Sequence, residues 1–140
     1  MSAEANKRVV TAFWDALYRR DWDRVAAFFV AGSRYTDMTT PAEDVATGPE
    51  EILARLRLGL EPISRYEHEL RLMVAEGDAV VTEHTETWHW DTGEMVALPF
   101  VSVQELGDGS ILRWWDYWDL QTLMSGAPAW WVEHVAQGYR

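Results

Sequence analysis

The protein has 140 residues, of which 48% are hydrophobic and 25% charged, with no cysteine and a formal net charge of -11. This length suits one hydrophobic core, so we predict a single domain over residues 1–140. The lack of cysteine excludes disulfides, thiolate metal ligands and cysteine nucleophiles. The basic residues are scattered among acids, which argues against nucleic acid and anionic membranes as partners. No apolar run approaches the ~20 residues of a membrane span and the N-terminus lacks a signal pattern, so we expect a cytoplasmic protein.

Two helices in close succession are predicted for the first third of the chain. The apolar residues of segment 4–19 have the i, i+3, i+4, i+7 spacing of an amphipathic helix: Val10, Phe13, Trp14 and Leu17. A second helix is predicted for residues 19–32, capped by Asp21 and ending near Gly32. Its buried stripe consists of Val25, Phe28 and Phe29.

A short strand and a third helix follow. Residues 33–40 are rich in β-branched and aromatic side chains, which predicts a strand, and a loop surrounds Pro41. Thr47 and Glu50 have the spacing of a capping box, which predicts a helix over residues 47–60. The buried face of this helix is predicted to be Ile52, Leu53, Leu56 and Leu60.

From residue 64 the hydrophobic period changes to two, which predicts strands. Four long strands are expected, separated by turn signals, and a short helix begins at Pro128. The predicted strands are residues 64–75, 79–90, 94–106 and 111–124. Helices followed by a run of strands indicate an α+β fold, with a curved antiparallel sheet packed on the N-terminal helices and a pocket between them.

Strand alternation predicts which polar residues face that pocket. The titratable candidates are Tyr35 and Asp37 on the first strand, His84 and Glu86 on the second long strand, and Asp116 on the last. The predicted walls are Trp14, Trp88, Leu98, Phe100, Trp114 and Trp118, with Leu112 on the same face as Trp114. Nine tryptophans are unusual for this length, and since each indole N–H needs a partner, we expect at least two to line a cavity.

These candidates suit proton transfer. Burial and neighbouring negative charge both raise the pKa of a carboxyl, so that one carboxyl can donate a proton while another accepts one, with His84 holding or relaying it. Two plainer interpretations remain open, namely a solvent-facing Glu86 and a hydrogen-bonded core His84. The ligand types would also suit a metal, but no recognised ligand spacing is present, so no metal site is predicted.

The element order resembles the SnoaL-like and limonene-epoxide-hydrolase-like branch of the nuclear transport factor 2-like (ketosteroid isomerase-like) superfamily. The likeness covers about residues 5–125 and is most specific in the closing segment GSILRWWDYWDL. It implies a cone-shaped α+β fold with a deep hydrophobic pocket, no cofactor, and often a homodimer that pairs the outer sheet faces. The outer-face residues that suit such pairing are Val101, Val103, Trp115 and Tyr117.

In the epoxide hydrolases of that branch, a tyrosine, an asparagine and an aspartate hold the attacking water, and an arginine bridges this aspartate to a second one. By position, Tyr35 matches the tyrosine and Asp116 matches one aspartate. Asp37 replaces the asparagine, His84 the arginine and Glu86 the other aspartate. Histidine supplies the arginine's charge only when protonated, so the resemblance does not carry epoxide hydrolysis over intact.

The leading hypothesis is therefore a cofactor-independent lyase or isomerase acting on a small hydrophobic, aromatic and hydroxylated molecule. Asp116 or Glu86 moves a proton, while Tyr35 and Asp37 orient a hydroxyl. The alternatives are an epoxide hydrolase with a modified triad and a small-molecule-binding module without chemistry. Trp130 and Trp131 are expected either to cover the pocket or to lie at a dimer edge.

Overall fold

The computed structural model describes all 140 residues as five helices and six strands. The helices are α1 (Ala3–Tyr18), α2 (Trp22–Ala26), α3 (Gly48–Leu60), α4 (Leu120–Gly126) and α5 (Ala129–Ala136). The strands are β1 (Phe29–Asp37), β2 (Val45–Thr47), β3 (Arg65–Glu76), β4 (Ala79–His89), β5 (Met95–Gly107) and β6 (Ser110–Trp118). None of the helices is long and apolar enough to cross a lipid bilayer.

All six strands form one sheet in the order β2-β1-β6-β5-β4-β3. The four long strands β3 to β6 pair antiparallel in chain order, so the predicted meander is confirmed. Strand β1 joins it in parallel with β6, and β2 closes the other side of β1. Long strands twist and curve such a sheet, which remains open, and α1 and α3 pack on its inner face. The α+β fold class is confirmed.

Helix α1 agrees with its predicted span and anchors the core. Ser2 caps it, because its side-chain oxygen accepts a hydrogen bond from the Ala5 N–H at 3.1 Å. Its apolar stripe is buried, and the ring of Phe13 meets that of Trp114 edge to face with centroids 5.1 Å apart. This contact fixes the helix across the inner face of β6.

The prediction of a second helix over residues 19–32 is wrong beyond its first turn. Helix α2 ends at Ala26, and Phe29 already belongs to β1, which also contains Gly32. The first strand therefore begins and ends earlier than the predicted 33–40. Phe29 pairs with Ile111 of β6, and pairing with a buried strand outweighs the helical spacing of the local sequence.

Helix α3 starts as predicted, but with a different partner at its cap. The backbone N–H of Thr47 donates to the Glu51 carboxylate at 3.0 Å, whereas the predicted box used Glu50. The Thr47 side chain makes no capping bond. Gly48 opens the helix with a φ of 82°, a left-handed conformation that favours glycine. Strand β2, just before it, was predicted as loop.

The last strand is shorter than predicted, since β6 ends at Trp118 and residues 120–126 form α4. Asp119 caps this helix by accepting from the Thr122 N–H at 3.1 Å. Leu112 is also misplaced by the prediction, because it is 38% exposed instead of facing inward. Leu112 is the extra residue of a bulge in β6, between the pairs Glu105–Arg113 and Leu106–Ile111, so that Ile111 is buried instead and normal alternation resumes at Trp114.

Candidate active site

A cavity of about 710 Å³ lies between the inner face of the sheet and the helices. All six predicted wall residues line it: Trp14, Trp88, Leu98, Phe100, Trp114 and Trp118. Four of the five titratable candidates line it as well: Tyr35, Asp37, Glu86 and Asp116. His84, the fifth, does not. The structure thus gathers the three candidate carboxyls inside one aromatic enclosure, which Glu43 and Asp44 also line. The term cavity carboxyls is used for Asp37, Glu86 and Asp116.

Asp116 is the most completely bound of these carboxyls. Its Oδ2 accepts from the Tyr35 hydroxyl at 2.9 Å, and its Oδ1 accepts from the Trp114 N–H at 2.7 Å. Ser102, directly opposite on β5, donates its hydroxyl to the same Oδ1. Three donors on three strands hold this carboxyl in a single orientation.

Burial raises the pKa of the Asp116 carboxyl to about 7, and the nearby charge of Asp37 raises it as well. The three hydrogen bonds lower the pKa, but the loss of hydration outweighs them. Near neutral pH this carboxyl therefore exists in comparable amounts as acid and as carboxylate. A group in this state can both take and give a proton.

Asp37 lies beside Asp116, because the two residues are direct neighbours in the parallel pairing of β1 and β6. Its Oδ1 accepts from the Trp118 N–H at 2.8 Å and from the Thr39 hydroxyl at 3.0 Å. Its Oδ2 faces a guanidinium nitrogen of Arg55 at 3.7 Å. Among Asp37, Glu86 and Asp116, Asp37 is thus the one that has a permanent cation nearby.

Arg55 is a cavity residue that sequence analysis missed. It reaches in from α3, donates to Asp44 at 3.0 Å and to the Thr40 hydroxyl at 3.3 Å, and lies 5.7 Å from the ring centre of Tyr35. Only 11% of its side chain is exposed. The sequence feature that could have identified Arg55 is its position next to Leu56, which belongs to the predicted buried face of this helix. The arginine places positive charge on the Asp37 side of the cavity.

Glu86 occupies a different part of the wall, on β4. The Tyr18 hydroxyl donates to its Oε1 at 2.8 Å, and the Trp88 N–H donates to its Oε2 at 2.5 Å. Burial raises the pKa of the Glu86 carboxyl, against the effect of both hydrogen bonds. No salt bridge reaches Glu86, so it favours the neutral acid more than a solvated glutamate does. The solvent-facing interpretation of Glu86 is wrong.

The tryptophans hold the carboxyl groups as well as forming the walls. Each of the three cavity carboxyls accepts one indole N–H: Trp88 to Glu86, Trp114 to Asp116 and Trp118 to Asp37. An indole N–H only donates and does not compete for protons, so it orients a carboxyl without taking part in proton exchange. This pairing explains why β6 carries aromatic and acidic residues on one face.

His84 is buried on the inner face of β4 but outside the cavity. Its ring stacks on Phe100 with centroids 4.5 Å apart and contacts Trp14 at the same distance, and both of these residues line the cavity. Its Nδ1 lies 2.6 Å from Nε2 of His68. The core-histidine interpretation matches this position, and direct contact between His84 and a cavity ligand is not supported.

Both histidines of this pair are neutral at physiological pH. Burial lowers the pKa of His84 to about 3, and the neighbouring His68 lowers it too. Burial lowers the pKa of His68 to about 4. His84 therefore does not supply the permanent positive charge that the resemblance assigns to an arginine at this position.

Helix α5 covers one end of the cavity. Trp131 is buried, lines the cavity and donates its N–H to the Gly59 carbonyl at 2.9 Å. Trp130 is 42% exposed and donates to the Thr92 hydroxyl outside the cavity. Trp131 therefore covers the cavity, whereas Trp130 lies outside it. No three His, Asp or Glu side chains converge as metal ligands.

Fold and cavity place the chain in the nuclear transport factor 2-like class of α+β cones. Residues 10–114 match the SnoaL-like domain family, three quarters of the sequence, and the chain belongs to that family. A search of curated proteins gives no significant match.

Solved structures share the fold along most of the chain. A limonene-epoxide-hydrolase-like epoxide hydrolase of M. tuberculosis is 26% identical, with 97% of this chain and 98% of that one covered and a TM-score of 0.75. A proposed SnoaL-like polyketide cyclase from Jannaschia sp. CCS1 is 23% identical, with 91% and 94% covered and a TM-score of 0.77. A ketosteroid isomerase-like protein from Catenulispora acidiphila, solved with trimethylamine, is 22% identical, with 84% and 89% covered and a TM-score of 0.73.

Proposed function

We propose that the protein is a cofactor-independent acid/base enzyme, a lyase or isomerase for a small hydrophobic, aromatic and hydroxylated substrate. The observation that carries this proposal is Asp116, a carboxyl with a pKa of about 7 inside an aromatic cavity. A structural carboxylate with three donors would ordinarily titrate well below neutral pH. General acid/base catalysis is most efficient when the pKa of the catalytic group lies near the pH at which the enzyme works.

Asp116 is proposed to transfer the proton through Oδ2. Its Oδ1 already accepts from Ser102 and Trp114, whereas Oδ2 accepts only from Tyr35 and keeps a lone pair. The Tyr35 hydroxyl donates to Asp116, and its oxygen can accept one hydrogen bond from a substrate hydroxyl. Asp37, oriented by Trp118, stands next to this position and accepts from a second hydroxyl. Substrate oxygens are thereby placed beside the proton acceptor.

The reaction class follows from these groups. The carboxylate form of Asp116 removes a proton from a substrate O–H or C–H bond, and the electron pair expels water or a small aldehyde or shifts a double bond. The resulting acid then returns the proton to the leaving group or to a new carbon position. In each case Asp116 ends in its starting state.

The walls support an aromatic substrate. Four indoles, one phenol and one phenyl ring meet the cavity on the sheet side and α1: Trp14, Trp88, Trp114, Trp118, Tyr35 and Phe100. Aromatic faces stack on planar guests and exclude water, which strengthens charge interactions with the carboxyls. A volume of about 710 Å³ lies within the range of sites that enclose drug-sized molecules.

Epoxide hydrolysis is the second candidate. It is favoured by the grouping of Tyr35, Asp37 and Asp116, which matches by position the water-holding set of that branch, and by the 26% identical epoxide hydrolase. Against it, no cation bridges Asp116 and Glu86. Arg55 lies at Asp37, and His84 is neutral.

The test is a screen of aryl diols, enones and aryl epoxides for consumption without added cofactor. We expect diols or enones to be converted, with activity lost in Asp116→Asn and kept in Asp108→Asn. Asp108 lies in the β5–β6 turn at a φ of 50°, which asparagine tolerates, so it controls for the charge change. A diol product that carries oxygen from labelled water would establish the hydrolase instead. A tightly bound aromatic ligand recovered unchanged would indicate a binding module.

We also propose a homodimer formed through the outer face of the sheet. Leu72 and Val74 on β3 and Tyr117 on β6 are exposed there, although each is large and apolar. Water contact with such a surface is unfavourable, and a second copy would cover it. Light scattering should give twice the chain mass, and Leu72→Glu should reduce it to a single chain. A wild-type mass of one chain would contradict the dimer.

A further inference from the structure

A row of polar side chains runs behind the cavity wall, across three strands. Asp116 on β6, Ser102 on β5 and Thr82 on β4 are direct neighbours in the sheet and all face inward. Ser102 donates its hydroxyl to Asp116. His84 follows two residues after Thr82 on the same face, and it contacts His68 on β3. Ser102, Thr82 and His84 are almost completely buried.

Several atoms in this row have no hydrogen-bond partner among the protein's own groups. They are Thr82 Oγ1, His84 Nε2 and the Trp14 N–H, together with both amide atoms of Gln104, the next inward residue of β5 after Ser102. The Trp14 and His84 rings are only 4.5 Å apart. Unpaired buried polar groups are costly, and native proteins satisfy them with enclosed water when two to four polar atoms surround one site.

The histidine pair continues the row towards solvent. His68 is partly exposed, whereas His84 is 1% exposed. A separation of 2.6 Å between His68 Nε2 and His84 Nδ1 places one proton between two neutral rings. When His68 takes up a proton at Nδ1, the shared proton moves from His68 Nε2 to His84 Nδ1, and His84 releases its own proton from Nε2, so that both rings end neutral. The pair can therefore pass a proton inward without becoming charged at rest.

We propose that water enclosed between Ser102, Thr82 and His84 connects Asp116 to the His68–His84 pair, and that Asp116 exchanges protons with solvent along this route. Each hydroxyl, water and imidazole accepts one proton on one side and releases another on its other side. One proton thus travels between solvent and Asp116, while the carriers keep their charges. The route enters behind Trp14 and Phe100, so it stays open when a substrate fills the cavity.

The first test is a high-resolution crystal structure of the protein without ligand. We expect at least one ordered water within hydrogen-bond distance of both Thr82 Oγ1 and His84 Nε2. A dry gap at this position, or direct contact between the two side chains, would overturn the enclosed water and with it the route.

The second test follows hydrogen–deuterium exchange on the carboxylic acid band of Asp116 in the infrared, at about pH 6, where its pKa of about 7 leaves it protonated. Asp116→Asn identifies the band. Thr82→Val should slow the exchange about tenfold, the change expected when one hydrogen bond of the path is lost. Thr85→Val, the same change on the outer face of β4, should leave the rate unaltered.

A second variant guards against misfolding of the first. His68→Phe keeps an aromatic ring stacked on Tyr18, where the centroids are 3.7 Å apart, but removes the outer end of the row. It too should slow the exchange. Wild-type rates in the folded variants would show that protons reach Asp116 from the cavity and would refute the route.

This inference depends on the proposed function in that Asp116 is taken to gain and lose protons. The infrared readout needs no turnover. A missing band at about pH 6 would count against the proposed function, whereas a band with unchanged exchange would count against the route alone.

Discussion

Asp116 and Glu86 receive the same kinds of hydrogen bond in two different surroundings. Each accepts from one tyrosine hydroxyl and one indole N–H. Asp116 has a third donor and lies beside Asp37, which faces Arg55, whereas Glu86 has no charged partner. Burial is the main cause that raises the pKa of both carboxyls, and the neighbouring charge of Asp37 raises the pKa of Asp116 further, to about 7, so the adjacent carboxylate distinguishes the two sites.

The largest expected effect is on turnover when the Asp116 carboxyl is removed. Asp116→Asn keeps the side-chain shape and one acceptor oxygen but cannot exchange a proton at neutral pH. We expect kcat on a substrate from the screen to fall about 100- to 10,000-fold, the range for general acid/base groups. Steady-state kinetics with circular dichroism as a folding control measures this. A loss below about threefold would remove Asp116 from the mechanism.

The second prediction concerns stability and pH. Since the pKa of Asp116 is raised to about 7 in the folded protein, the folded state binds this proton more tightly than the unfolded chain between pH 3.8 and about 7. The free energy of unfolding should therefore decline as pH rises through this window, by up to about 4 kcal/mol. Chemical denaturation at several pH values measures it, and Asp116→Asn should lose most of this decline. Equal slopes in the two proteins would contradict the raised pKa.

A third, smaller effect separates the two indole donors. Trp114→Phe removes the N–H that stabilises the charged form of Asp116, so the pKa of this carboxyl should rise by about one unit. The acidic limb of the pH–rate profile, where the carboxylate form of Asp116 is lost, should move to higher pH with it. Trp88→Phe removes the corresponding donor of Glu86 and serves as the matched control. An equal shift in both variants would indicate a general change of packing.

The smallest effect is expected at Glu86. Glu86→Gln replaces a carboxyl whose pKa is raised by burial with a neutral amide of the same shape, which still accepts one hydrogen bond. Turnover should change less than about tenfold, well below the loss in Asp116→Asn. The ratio of the two kcat values checks the comparison directly. If Glu86→Gln is the more damaging change, the roles of the two carboxyls are reversed.

Alternation in the sequence was sufficient to place Glu86, Trp88 and Trp114 on the inner face. This works because β4 pairs with β5 without interruption, so the period of two persists along the strand. The same argument misplaced Leu112, because a bulge at this residue interrupts the period of two in β6. Helical spacing misplaced Phe29, whose strand conformation depends on a partner more than 80 residues away.

The sequence alone did not reveal Arg55 and Tyr18 as partners of cavity groups. Both lie beside the buried stripes of their helices, and their reach depends on how each helix packs on the sheet. Tyr18 is one turn after Trp14, which was the available signal. Strand alternation likewise put His84 on the inner face, but it could not show that Trp14 and Phe100 separate His84 from the cavity.

The most direct measurement is a pH titration of the Asp116 side-chain carboxyl by carbon-13 nuclear magnetic resonance, assigned with Asp116→Asn. A midpoint at about 7 is predicted, within the range where one group can serve as both acid and base. A midpoint near 4, that of an aspartate in water, would mean that this group is a fixed anion at neutral pH, and the proton-transfer account would be contradicted.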